Sequence, residues 1–251
     1  MVIQKITIFI AHPDDTDNYA PNFIKHLVDK GKDVFIFSFT RGEHGVGSSK
    51  DPKKDEFRGK RLGWMRTREL QKAAGYLGVP KEKVRFLEIE DGTMVVNKKA
   101  AYIRAMKILK EMRPDLILAP DFSNRYYQHP DHTIAGAMVF LAAKKLGLDG
   151  PIFLFHSIKN NFYFPVSSRE IGYKATSFHK SQKEMFDTLY PLYTNIEQIW
   201  HGLHVKGYRR AEGFRITRIN QPQKIDFLSR VISIFFHLGY KKKAINKQSW
   251  V

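Results

Sequence analysis

Apolar residues fall into two rhythms along this chain. Short, nearly continuous runs rich in Val, Ile and Phe occupy residues 5–11 (KITIFIA), 33–39 (DVFIFSF), 84–89 (VRFLEI), 115–119 (DLILA) and 151–156 (PIFLFH). Such runs suit strands that are covered on both faces. Between them, apolar residues recur at helical spacing near 17–30, 56–77, 100–112 and 131–146. Breakers stand where those helices should stop: Lys30-Gly31, Leu77-Gly78-Val79-Pro80 and Arg113-Pro114. Alternation of this kind predicts an α/β fold built on a mostly parallel sheet with helices on both faces.

The common doubly wound, Rossmann-like order, 3-2-1-4-5, makes the first and fourth strands neighbours, and ligands bind beyond their carboxyl ends at this switch point. The first strand runs straight into Ala11-His12-Pro13-Asp14-Asp15. The fourth runs into Pro120 and a loop that closes with His129-Pro130-Asp131-His132. Taken singly, either His-Pro-Asp stretch reads as a turn whose aspartate caps the next helix. Taken together, at the ends of neighbouring strands, they read as one site. The glycine pattern of a dinucleotide-binding turn is missing after the first strand, and residues 42–50 lack the spacing of a phosphate loop. The chain has no cysteine, which excludes a disulfide scaffold, a Cys-ligated zinc ribbon, an iron–sulfur cluster and a thiol nucleophile. Any metal must therefore be held by His, Asp or Glu.

His12, Asp15 and His132 supply two imidazoles and one carboxylate, a donor set that suits catalytic zinc with an open position for water. Bound zinc lowers the pKa of that water to roughly 7. Asp14, next to Asp15, is placed to take the proton. His129 is placed to protonate a leaving group or to stabilise an oxyanion, with Asp131 either orienting it or capping the helix that begins near His132. Tyr127 is a second candidate for contact with the oxyanion. Two histidines and a carboxylate also describe a non-haem iron triad, so Fe2+ stays open as the metal, although the H-x-x-D spacing and the adjacent Asp14 favour hydrolysis. The reaction class is metal-assisted hydrolysis of an amide or ester.

These residues resemble the LmbE-like (PIG-L) zinc-dependent N-deacetylases, whose signature is A-H-P-D-D-E after the first strand and H-P-D-H after a later one. Further along, Thr40-Arg41-Gly42-Glu43 is similar to the family's T-x-G-E loop. Arg66-Thr67-Arg68-Glu69-Leu70 with Leu77-Gly78-Val79 resembles its R-x-x-E-L and L-G-V helix, and Asp91-Gly92 its D-G turn. His179-Lys180-Ser181-Gln182 is similar to its H-x-S-Q helix start, and Glu212-Gly213-Phe214-Arg215 to its closing E-x-F-R. The resemblance implies zinc on His12, Asp15 and His132, Asp14 as general base and His129 as acid or oxyanion partner. It also implies that Arg66 and Asp91 hold sugar hydroxyls, and that the acetyl group of an N-acetylglucosamine-type conjugate is removed. One position departs from the pattern: Thr16 stands where the family has Glu, which points to an altered substrate preference.

Charge changes the picture at the carboxyl end. The net charge is +17, and residues 206–251 hold 11 Lys and Arg against 2 acids, about half of the excess. The resemblance fades beyond Arg215, so the domain expected is 1–220, followed by a basic amphipathic extension, 221–251. Along 225–238, Phe227, Leu228, Val231, Ile232, Ile234, Phe235 and Phe236 make a wide apolar face, and Lys241-Lys242-Lys243 follow. Docking on its own domain or on a second subunit, as a homo-oligomer, is the expectation for this face. Peripheral contact with anionic membrane is the sharper alternative. The amino end reads as no signal peptide, and no apolar run reaches the roughly 20 residues of a membrane span, so a cytoplasmic protein is expected. An anionic sugar conjugate fits the basic surface. No aromatic platform or recognised motif accompanies the basic residues, so nucleic acid is not expected as a partner. The competing readings are an amidohydrolase acting on a non-sugar amide, and a non-enzymatic basic protein that binds nucleic acid or acidic glycan.

Overall fold

The computed structural model describes residues 2–45, 58–123, 129–183 and 190–219. The basic extension, Tyr127 and most of the glycine-containing segment 42–50 lie outside the described residues. Strands β1 (Lys5–Ile10), β2 (Asp33–Ser38), β3 (Val84–Phe86), β4 (Leu116–Pro120) and β5 (Ile152–Phe155) are parallel and lie in the order 3-2-1-4-5. Two further strands, β6 (Phe162–Val166) and β7 (Arg210–Thr217), extend the sheet beyond β5 as antiparallel neighbours, giving 3-2-1-4-5-7-6. Helices α1 (Asp15–Tyr19), α2 (Pro21–Asp29), α3 (Lys60–Tyr76), α4 (Lys98–Met112), α5 (Pro130–Lys145), α6 (Glu170–Thr176) and α7 (Tyr190–Gly202) complete the chain.

The continuous apolar character of β1 reflects burial on both faces. Ile6, Ile8 and Ile10 join Phe23, Ile24, Leu70 and Ala74 on the side of α2 and α3. Phe9, with Phe37 and Phe39, packs toward Ala101, Ala105 and Leu109 of α4 and Ile134, Ala135 and Val139 of α5 on the other. Helix α5 lies so close to β4 that a Cβ added at Gly136 would sit 2.0 Å from the Pro120 carbonyl oxygen. Only glycine lets this helix, which begins beside His129 and His132, approach the exit of β4.

Two boundaries depart from the sequence expectation. The helix expected over 17–30 is two helices, because Pro21 opens α2 without an N–H to continue the ladder, and Ala20 turns away at φ −145°. The third strand ends at Phe86 rather than at residue 89. Glu88 takes φ +54°, and the amides of Leu87 and Ile89 reach back to Ser38 and Phe39 outside a regular ladder. Among the described residues, no helix is long and apolar enough to cross a membrane.

Candidate metal centre at the switch point

β1 and β4 pair in parallel, and the loops leaving their carboxyl ends meet. The Asp15 amide bonds the His12 carbonyl oxygen at 3.3 Å, a turn that folds the aspartate back on its own loop. There Asp15 Oδ2 accepts hydrogen bonds from the amides of Ala11 (2.9 Å) and His12 (3.1 Å). Its other oxygen is left facing across the crevice. That oxygen, Oδ1, lies 3.0 Å from His132 Nε2 and 4.0 Å from His12 Nδ1, and the two ring nitrogens are 3.1 Å apart.

Three donor atoms thus converge. A tetrahedral divalent ion with bonds of about 2.1 Å would separate its ligands by about 3.4 Å, and the three separations straddle that value. The hydrogen-bond count also asks for a cation. The far side of His12, Nε2, faces carboxylate oxygens of Asp91 at 3.1 Å and Asp131 at 3.6 Å, which places its proton there and leaves a lone pair on Nδ1. That lone pair faces Asp15 Oδ1, another acceptor, and His132 has one Nε2 proton at most for both. Burial works against a charge on His12, but the Asp131 and Asp91 carboxylates, with Asp15, push its pKa well above the ordinary value, so these carboxylates call for positive charge at the ring, which a cation on Nδ1 would supply in place of a second proton. Burial likewise disfavours the charged form of Asp15, yet the charges and hydrogen bonds of His132 and His12 keep it ionised, far below the usual carboxylate range. His12, His129 and Asp131 form a second constellation with metal-type spacing. Asp131 is less suited to metal there, because its carboxylate already accepts the amides of Gly92 (2.7 Å) and Met94 (3.3 Å).

The remaining residues singled out in the sequence lie around this cluster. Asp14 places Oδ1 2.7 Å from Nη2 of Arg66, and the same guanidinium donates through Nη1 to the Gly42 carbonyl at 2.9 Å. Gly42 (φ +65°) and Gly45 make room for it, since a Cβ at either would come within 2.4 Å of Arg66 Nη1. Asp91 is turned toward His12, with its other oxygen on the His44 amide at 3.0 Å. His129 is the residue before α5, and its Nδ1 accepts the Asp131 amide at 3.3 Å. The cap of α5 is therefore this imidazole. The Asp131 side chain goes to the Asp91–Met94 turn and to His12, not to His129. Thr16, where the family has Glu, is buried.

Five further polar side chains outside the predicted set, Asp17, Glu69, His156, His179 and Arg215, are buried or half-buried on the surrounding elements. His179 and Asp17 form a fully buried pair at 2.6 Å. Glu69 holds the Ser181 amide (2.8 Å) and hydroxyl (2.6 Å). Arg215 reaches Asp121 at the exit of β4 at 2.8 Å. His156, at φ +55°, stacks on Tyr19 with ring centroids 4.2 Å apart and lies edge-on to His132. Their only trace in the sequence is the motif spacing around Glu69, His179 and Arg215.

The family model described as "PIG-L: GlcNAc-PI de-N-acetylase" matches residues 7–143, the segment that carries His12, Asp14, Asp15, Arg66, Asp91, His129, Asp131 and His132. The chain belongs to the PIG-L family. This membership supports a deacetylase or amidase role. The PIG-L protein is 26% identical over 233 residues to diacetylchitobiose deacetylase of Thermococcus kodakarensis, an alignment covering 86% of this chain and 84% of that one. It is 27% identical over 145 residues to mycothiol S-conjugate amidase of Streptomyces coelicolor, covering 53% and 49%. Among solved structures, N,N'-diacetylchitobiose deacetylase from Pyrococcus horikoshii superposes with a TM-score of 0.74 at 25% identity, covering 86% of this chain and 85% of that one.

Proposed function

We propose that this PIG-L family protein is a metal-dependent N-deacetylase acting on an N-acetylglucosamine-type sugar conjugate. The observation that carries the reading is the convergence of His12 Nδ1, Asp15 Oδ1 and His132 Nε2 beside the Asp14 carboxylate. These three atoms would hold a divalent ion, zinc by the chemistry of the donor set, with Fe2+ as the alternative. Once bound, the ion would acidify a water and polarise the acyl carbonyl.

The protein's own residues do the rest. Arg66 engages one oxygen of Asp14, so that the other oxygen is left to accept the proton of the attacking water. His129 spends Nδ1 on the Asp131 amide, which places the ring proton on Nε2. That N–H donates to the oxyanion, and the proton that Asp14 took from the water passes to the leaving nitrogen as the acyl C–N bond breaks to acetate and free amine. Asp91 and Asp131 set the tautomer of His12. Because Asp91 and Arg66 are already engaged by His12 and Asp14, sugar hydroxyls would reach them only by sharing those contacts. The aminosugar named in the diacetylchitobiose deacetylases supports the substrate class, and the +17 charge favours conjugates that bear phosphate or carboxylate.

Acetate release over a panel of N-acetylglucosamine conjugates, with metal content determined alongside, tests the reading. We expect turnover that chelation abolishes and added metal restores. No turnover anywhere on the panel by fully metallated protein would overturn the sugar assignment.

A further inference from the structure

Two pairs of charged residues share a spacing. Asp14 and Asp17 are three residues apart at the start of α1, and Arg66 and Glu69 are three apart on α3, so each pair lies on one helical face. The two faces are joined twice. The direct link is Asp14 to Arg66 at 2.7 Å. The indirect link runs through the turn that opens at His179. The His179 ring donates to Asp17 at 2.6 Å, and two residues on, Ser181 gives both its amide and its hydroxyl to the Glu69 carboxylate. Gln182 of the same turn donates to the Gly45 carbonyl, on the loop whose Gly42 carbonyl holds Arg66. All six side chains, Asp14, Asp17, Arg66, Glu69, His179 and Gln182, are buried.

We infer that Asp17, Glu69, His179 and Ser181 are positioning residues that close a ring of contacts around Asp14 and fix the direction of its carboxylate. The inference rests on the reading of Asp14 as the general base. A single bridge to Arg66 fixes one distance and leaves the Asp14 carboxylate able to turn about it. A second attachment, one turn along each helix, removes that rotation. The sequence elements that close the ring are 162 residues apart at Asp17 and His179 and 112 apart at Glu69 and Ser181. A misplacement of about 1 Å at a reacting group costs about a hundredfold in rate, which is the size of effect the ring guards against.

The test uses the full-length, metallated protein. Glu69→Leu deletes the anchor of the turn and touches neither Asp14 nor the metal donors. It should lower kcat by about 10- to 100-fold with KM changed less than about threefold, and leave metal content unaltered. Glu69→Gln should recover most of the rate, because its carbonyl accepts the Ser181 amide while its NH2 donates to the hydroxyl. Ser181→Ala, a milder lesion, should show the same pattern at smaller size. Nitrogen-15 NMR of the Arg66 guanidinium and the His179 ring gives a readout that needs no substrate. Both sets of signals should move in Glu69→Leu and return in Glu69→Gln. An unmoved Arg66 signal, or an unchanged kcat in Glu69→Leu, overturns the ring, whether or not the deacetylase reading stands. Absence of turnover by the parent protein counts against that reading alone.

Discussion

Two buried histidine–carboxylate assemblies share helix α1, and they are built in opposite ways. Asp17 and His179 meet one donor to one acceptor at 2.6 Å, both side chains fully covered. That bond joins two metal-type side chains and no more, and the other Asp17 oxygen is buried without a hydrogen-bond partner among the described residues. Two residues earlier, Asp15 faces His132 and His12, and His12 has its proton turned outward to Asp91 and Asp131. Three donor atoms lie within 4.0 Å of one another with too few protons among them. Burial alone does not separate a structural pair from a cation site. The number of converging donor atoms does: two at Asp17 and His179, three around Asp15.

The sharpest break of the comparison removes one side of it. His132→Ala, or chelation, should abolish hydrolysis and bound metal together, whereas Asp14→Asn should keep the metal and lose about 10²- to 10⁴-fold in kcat. Metal analysis beside steady-state kinetics separates the two. Equal metal loss in both variants would move Asp14 into the ligand set.

His179→Leu attacks the other assembly. It strands the Asp17 carboxylate away from water and should destabilise the fold by about 3–5 kcal/mol, with metal still bound by the folded protein. Denaturant unfolding of the apo and loaded forms measures this. Loss of metal affinity without loss of stability would show that the pair serves the cation site directly.

Gly136→Ala probes the seam that positions His132. The new Cβ meets a backbone carbonyl that cannot swing aside, so α5 must lift from β4. A cost of about 1–3 kcal/mol is expected, together with weaker metal binding as His132 moves with its helix. Undiminished affinity would mean that the His132 position tolerates the shift.

The smallest effect concerns Glu212, whose carboxylate accepts the Asn22 amide and side chain and the Phe23 amide at 2.7–2.8 Å. Glu212→Gln sets an NH2 against one of these N–H groups and should cost about 1–3 kcal/mol. Burial pushes the Glu212 carboxyl up to about 7 against an ordinary value of 4.5, although the three donors oppose the rise. The folded state therefore holds the proton more tightly than the unfolded chain. The stability this contributes is complete below about pH 4.5 and lost as pH rises to about 7. The gap between parent and Glu212→Gln should narrow between pH 5 and pH 8 in thermal unfolding, and a gap that stays constant over that range would show that the carboxylate is ionised throughout.

How far these features could be read in advance depends on where their partners lie. The five parallel strands were legible because each carries its own run of apolar residues, almost wholly buried in β1, β4 and β5. The switch-point loops were legible because His and Asp crowd the ends of β1 and β4. β6 and β7 were not. β6 is a short, half-buried edge strand containing Pro165, and β7 carries Glu212 and Arg215 in its buried stretch. Charges inside a strand read as exposure until their partners are known. Those partners, Asn22 for Glu212 and Asp121 for Arg215, stand 190 and 94 residues away. Asp131 shows the same limit on a smaller scale: its position beside His129 suggested one neighbour, and its χ angles lead to others.

What the sequence by itself determined is the layered parallel fold, the meeting of two His/Asp loops at its switch point, and the absence of any thiol from the donor set. Periodicity and residue type are local properties, and the connection rules of α/β sheets carry them to one place. Tertiary structure alone decided which nitrogen of His12 faces Asp15, which carboxylate holds Arg66, and how Asp17, His179, Ser181 and Glu69 close on one another. Those pairings depend on distances of about 3 Å between groups up to 162 residues apart. Coulomb and hydrogen-bond energies at that range are set by packing and burial, for which the order of residues along the chain holds no local record.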